Sequence, residues 1–154
     1  MTRLHAQPGP ITAPSPSVFS EPYWEGCALG ELRFQRCTVC SQALHTPAAV
    51  CSGCGADALV WESSSGRGVI HSFTVVWRPV TPEFEVPYAP AIIELSEGWF
   101  LLTCIIDCET EELSIGADVE IAFQTKVNGV SLPYARLVEQ SLNSERSSAG
   151  ETHQ

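Results

Sequence analysis

The chain has 154 residues, enough for one ordinary domain or two very small ones and too few for a large catalytic α/β architecture. Apolar residues make up 44% and charged residues 17%, which supplies a real core, yet no apolar run is long enough to span a bilayer. The formal charge is −10, with eight Lys and Arg scattered along the chain, so a phosphate backbone or an anionic membrane finds no basic cluster to attract it, and neither is an expected partner.

Residues 1–17 are rich in Pro, Ala, Ser and Thr without apolar periodicity, and are expected to form a disordered tail. They show no basic region followed by an apolar stretch, as a secretory signal would, so the expected location is the cytoplasm. Residues 18–35 read as an N-terminal helical segment. Ser20 is placed to cap a helix over Glu21 to Leu29, Pro22 suits its first turn and Gly30 is placed to stop it. Tyr23, Trp24 and Cys27 are spaced to share one face, either packed on a neighbour or, for Tyr23 and Trp24, docked on a partner.

Residues 36–62 hold Cys37-Thr-Val-Cys40 and Cys51-Ser-Gly-Cys54, two CxxC pairs ten residues apart. Each pair can turn two sulfurs toward one ion, and together they complete a tetrahedron of thiolates with no open position, the pattern of a structural zinc site rather than a hydrolytic one. Iron in a rubredoxin-like site is the alternative metal, since four-sulfur sites accept both. Gly53 and Gly55 fit the backbone demands of the second knuckle. A module this small folds only with its metal. His45, inside the loop, is expected to be a solvated turn residue, because the sulfurs already complete the tetrahedron.

Ser63 to Gly68 reads as a hinge, and residues 63–138 as a barrel. Five β-branched and aromatic runs are expected as strands, Val69 to Trp77, Pro90 to Leu95, Trp99 to Ile106, Asp118 to Gln124 and Ser131 to Val138, forming a closed or nearly closed antiparallel barrel. Ser96 to Gly98 makes a hairpin of the second and third. Arg78 to Ala89 is long and proline-rich, a loop expected to carry contacts. Cys104 is expected to be buried as a small apolar side chain, His71 to be a hydrogen-bonded packing residue, and the acidic residues near Asp107 to Glu112 to form a solvated face. Residues 139–154 are polar and Ser-rich, an expected second disordered tail.

Neither His45 nor His71 has an identifiable nucleophile partner, and no phosphate-cradling loop, nucleophile elbow or dinucleotide fingerprint is present. The chain is therefore expected to carry no catalytic residue and not to act as an enzyme by itself.

The order of YWEGCALGELRFQRCTVC, CSGCGADALVWESSSGRGVIHSFTVV, PYAPAIIEL and LSIGADVEIAF, from Tyr23 to Val138, resembles the zinc-ribbon plus OB-fold family of small proteins associated with acyl-coenzyme A metabolism. The resemblance implies a mainly β protein with a short N-terminal helix, a rubredoxin-like zinc ribbon on Cys37, Cys40, Cys51 and Cys54, and a five-stranded OB-fold barrel. It also implies an accessory, non-catalytic subunit of a thiolase-fold enzyme, whether a thiolase, an acyltransferase or a lipid-transfer-protein-type aldolase of steroid side-chain degradation. Such a hetero-oligomer would bring acyl-CoA to this chain indirectly. Tyr23, Trp24, Trp77, Phe84 and Tyr88 are the expected partner-binding anchors, since interfaces favour aromatics. The competing expectations are a stand-alone acyl-CoA-binding module and a single-stranded nucleic-acid binder, the latter opposed by the acidic charge.

Overall fold

The computed structural model describes residues 2–9, 12–126 and 128–138; the expected tail over 139–154 lies outside them. Helix α1 (Glu21–Ala28) leads into a three-stranded sheet of β1 (Arg33–Cys37), β2 (Ala43–Leu44) and β3 (Leu59–Ser63), ordered β2-β1-β3. A closed barrel follows, built from β4 (Arg67–Phe73), β5 (Ala89–Leu95), β6 (Phe100–Ile106), β7 (Asp118–Thr125) and β8 (Ser131–Leu137) in the order β4-β5-β6-β8-β7. Among the described residues the protein is mainly β with one short α-helix, as the sequence implies. Among the described residues no helix is long and apolar enough to cross a membrane.

Helix α1 ends where expected. Gly30 takes φ +74, a conformation that costs a side chain with Cβ, and its N–H reaches the Cys27 carbonyl at 3.2 Å while Glu31 N–H reaches Gly26 at 2.8 Å. Those two bonds satisfy carbonyls that the last turn leaves open. The start differs from expectation. Ser20 occupies the N-cap position but makes no capping bond, because its hydroxyl instead accepts the Ser17 N–H at 2.8 Å in a local turn.

In β5 the alternation is clean: Ala89, Ala91, Ile93 and Leu95 are buried, while Ile92 and Glu94 face out. The barrel is not wholly antiparallel, however. β6 and β8 run parallel through Ile105↔Ala135 and Ile106↔Arg136, because the chain crosses from β6 to pair β7 with β4 before β8 returns beside β6. A strand's alternation fixes which face it buries and carries no information on its neighbour's direction. The first barrel strand is also shorter than expected. It ends at Phe73, beyond which the Thr74 N–H bond to Pro90 O at 3.0 Å and the bridge Val76↔Tyr88 continue the pairing.

Two segments read as loose are pinned. Leu4 is fully buried, its N–H bonds to Cys108 O at 2.8 Å and its carbonyl accepts from Asp107 N at 2.9 Å. The Gln7 side-chain amide donates to Glu85 O at 2.9 Å and accepts from Glu85 N at 2.8 Å, which ties the N-terminal segment to the long loop. The expected disorder of residues 1–17 therefore fails at 2–9. One leucine and a few backbone bonds dock the segment without any periodic pattern, and burying such a side chain stabilises by roughly 1.5–3 kcal/mol. Nor is Ser63 to Gly68 a hinge. Ser64 Oγ and Ser65 N–H bond the Glu97 carboxylate at 2.8 and 2.6 Å, and Ser64 N–H bonds Leu32 O at 2.7 Å.

The main core runs through all three parts of the fold, joining Tyr23 and Cys27 of α1, Leu32 and Phe34 of the ribbon, and Ile70, Ile93, Trp99 and Leu101 of the barrel. The ribbon's own cluster is far smaller, with Cys37, Leu44 and Cys51 flanked by Ala56 and Leu59.

Candidate functional site

The two CxxC turns are near copies. Ser41 N–H bonds Cys37 O and Gly55 N–H bonds Cys51 O, both at 2.9 Å; Cys37 N–H bonds Gln42 O and Cys51 N–H bonds Ala56 O, again both at 2.9 Å. Ser41 and Gly55, each following the second cysteine of its pair, adopt φ +63 and +75. Gly53 meets a different demand, since a Cβ there would collide with the Gln42 amide.

These turns bring the four sulfurs within 4.8 Å of one another, with Cys37 to Cys54 at 3.6 Å and Cys40 to Cys51 at 3.5 Å. A tetrahedron with Zn–S bonds of about 2.3 Å has sulfur–sulfur edges of about 3.8 Å, so the quartet fits the ion. Cys37 and Cys51 are buried and Cys40 and Cys54 exposed. The Cys40 N–H holds the Cys37 thiol down to about 7, and the Cys54 N–H lowers Cys51 likewise. At Cys40 the Gln42 N–H favours the thiolate, but the neighbouring sulfurs and burial outweigh it and push the thiol up to about 12. Without an ion the four cannot all ionise together, and a divalent cation removes that conflict. The site is a structural zinc site, closed by four protein ligands. Zinc there would hold the two turns together, and Cys37, Cys40, Cys51 and Cys54 would carry it.

The five expected aromatic anchors separate. Tyr23 and Tyr88 are buried, at 5% and 8% exposure, and cannot serve as surface anchors. For Tyr23 this is the packed alternative of its helix face, set against His45 and the main core, whereas nothing in the loop around Tyr88 marked it for burial. Trp24 and Phe84 are half-buried, Trp24 edge-on to Tyr23 at 5.0 Å and Phe84 against Tyr88 at 5.5 Å. Trp77 is 61% exposed, and Val80, in the same loop region of the sequence, is exposed as well.

His45 departs from its expected place. It is wedged between Tyr23 and Trp99, with ring centroids 4.9 and 5.0 Å away. Trp99, from the β5–β6 turn, also stacks on Phe34 of β1 at 5.6 Å. The loop carrying His45 is set by buried Gln35, which donates to Ala48 O at 3.1 Å and accepts from Ala48 N at 2.8 Å. Both His45 Nδ1 and Trp99 Nε1 are buried without a partner among the described residues.

Burial holds the His45 imidazole down to about 4 from the usual 6.5. The unfolded chain takes up this proton below 6.5 and the folded chain only near 4, so the stability is full above 6.5 and falls as the pH drops toward 4, by about 3 kcal/mol. Urea unfolding across that window should show His45→Gln losing about that much less than the parent. Equal losses would mean that His45 is solvated, since acid release of zinc acts on both proteins alike.

Two cavities flank this ring. The larger, about 730 Å³, lies between the N-terminal segment, α1, the His45 loop and strands β6 and β8; the smaller, about 480 Å³, lies between the ribbon and Trp99. His45 and Thr46 line both. Of the remaining candidates, Cys104 is half-buried on the wall of the larger cavity rather than in the core. His71 lies exposed on the outer barrel face, 3.7 Å from Glu94 and edge-on to Phe100, so it is not a packing residue. Asp107 is not merely solvated, since it pairs with Arg136 at 2.7 Å.

Comparison with known proteins gives matches along most of the chain. Residues 24–60 match the family described as "ChsH2, rubredoxin-like zinc ribbon domain" and residues 61–124 that described as "ChsH2, C-terminal OB-fold domain". A DUF35 domain-containing scaffold protein of Methanothermobacter thermautotrophicus is 35% identical over 58% of this chain and 68% of its own length. Two hydratase subunits match at 30% identity. One is a probable enoyl-CoA hydratase alpha subunit of Thermomonospora curvata, over 74% of this chain; the other is the 3-oxo-4,17-pregnadiene-20-carboxyl-CoA hydratase alpha subunit of Mycobacterium tuberculosis, over 75%. The chain spans only 36% and 37% of their lengths. A chain of a solved structure described as Ltp2-ChsH2(DUF35) aldolase superposes with a TM-score of 0.75 at 28% identity, over 81% of this chain and 98% of that one.

Proposed function

Given that this chain belongs to the DUF35 family, with a ChsH2-type zinc ribbon and OB-fold barrel, we propose that it is a non-catalytic accessory subunit of an enzyme that acts on CoA thioesters. The observation that carries this reading is the superposition over 98% of a chain from an aldolase assembly, on a fold whose only metal-binding cluster among the described residues is a closed structural one. Relatives named as a scaffold and as hydratase alpha subunits support it, since those names describe parts of assemblies.

The finer reading is a hetero-oligomer with a thiolase-fold enzyme in the cytoplasm, a thiolase, an acyltransferase or a steroid side-chain aldolase. Exposed Trp77 is the strongest remaining anchor, because a large aromatic left in water gains most from a partner's surface, and half-buried Trp24 and Phe84 are the other two. Tyr23 and Tyr88 position those rings from beneath.

A tagged chain isolated from its native host should bring down a thiolase-fold protein in stoichiometric amount, identified by mass spectrometry, and Trp77→Ala should reduce the recovery several-fold. Repeated recovery of the chain alone, or thioester turnover by the purified chain without a partner, overturns the proposal.

A further inference from the structure

The larger cavity has a composition that its setting does not require. The chain carries 18 acidic and eight basic residues, yet no Asp, Glu, Lys or Arg is among the residues lining this cleft; Lys126 stands behind the wall, its ammonium bonded to the Gln7 carbonyl and 5.2 Å from the Tyr134 ring centroid. Its walls include Trp24, Phe84, Leu101, Leu102 and Pro133, and Leu102 is left 73% exposed at the rim. At about 730 Å³ the space falls within the roughly 300–1,000 Å³ of small-molecule sites. A phosphate or carboxylate entering it would find one ammonium at most, that of Lys126, which is already bonded to the Gln7 carbonyl and set against the Tyr134 ring, whereas an uncharged apolar body would gain from the burial.

Polarity is confined to hydroxyls, amides, a thiol and the His45 end, where two ring nitrogens have no partner. Trp99, which lines the adjoining cavity, is 2% exposed and its indole Nε1 can only donate. His45 is held neutral by burial, so its Nδ1 offers one donor or one acceptor according to tautomer. Each orphaned group costs about 1–3 kcal/mol in the empty protein, and a ligand oxygen at this seam would recover that cost.

We infer that the cleft is a binding site, in this chain alone, for an uncharged and largely apolar molecule that carries a hydroxyl or oxo oxygen at the His45–Trp99 end. Such a ligand has the chemistry of an acyl body rather than of a nucleotide. The binding needs no partner subunit, so it goes beyond the accessory role and does not depend on it.

The zinc-loaded chain is titrated separately with progesterone, a long-chain fatty alcohol and coenzyme A, following tryptophan fluorescence and the indole N–H resonance of Trp99. Either apolar probe should give a saturable isotherm and move the Trp99 resonance, while coenzyme A does neither. Leu102→Glu, which sets a carboxylate at an already exposed position, should weaken the apolar probe about tenfold or more with zinc content and circular dichroism unchanged. No isotherm with either apolar probe, saturable binding of coenzyme A with the Trp99 shift, or an affinity unmoved by Leu102→Glu overturns the inference. None of these outcomes bears on co-purification with an enzyme, which tests the accessory role separately.

Discussion

Cys51→Ser should abolish stoichiometric zinc and leave the ribbon without stable structure. The ribbon's private core amounts to Cys37, Leu44 and Cys51 with Ala56 and Leu59 against it, and two of the three buried members are metal ligands themselves. So small a cluster cannot offset the entropy of ordering the two knuckles. Metal binding can, since structural zinc contributes ~10–16 kcal/mol of apparent stabilisation to such modules near neutral pH. In hydrogen exchange, amides between Cys37 and Leu59 should lose protection in the variant, while those of β5 and β6 keep theirs. Elemental analysis should fall from one zinc per chain to none. A variant that still binds one zinc, or that loses the metal with unchanged exchange in the ribbon, would show that the quartet is not what holds the knuckles.

The second large effect is expected at Trp99. Trp99→Ala removes a buried ring that stacks on Phe34 of the ribbon and on His45, so it empties the joint between ribbon and barrel rather than the interior of either. A truncation of this kind costs about 3–5 kcal/mol, the loss of transfer energy plus the cavity left behind. Chemical denaturation measures that cost. A second readout separates the joint from an ordinary core position. With Trp99 gone, water reaches His45, and its proton affinity should climb from about 4 back toward 6.5 in an NMR titration. A loss below about 1 kcal/mol, or an imidazole that stays neutral to pH 4 in the variant, would mean that the seam is held elsewhere.

The metal quartet was legible because a CxxC turn is local: its geometry is set by four consecutive residues, and the ion needs only two such turns brought together. The strand positions were legible for a related reason. Ala89, Ala91, Ile93 and Leu95 alternate with outward residues at the period of an extended chain, and that period survives whatever packs on it. Leu4 was not legible, since a single leucine in a Pro- and Ser-rich stretch has no period, and its burial depends on the carbonyl of Cys108, a hundred residues away. His45 failed for the opposite reason. The sulfurs did complete the metal's shell as reasoned, but that says nothing of an imidazole whose neighbours, Tyr23 and Trp99, come from the helix and from the barrel.

By itself the sequence determined the mainly β composition, the helix stop at Gly30, the zinc ligands and the five barrel strands, because each is written in residues close together in the chain. Only the tertiary structure decided the parallel pairing of β6 with β8, the strap through Leu4 and Gln7, which aromatics are covered, and the uncharged cleft beside His45. Those features arise where separate elements meet, and which elements meet is set by how the whole chain buries its apolar surface at once, a quantity no single stretch of residues contains.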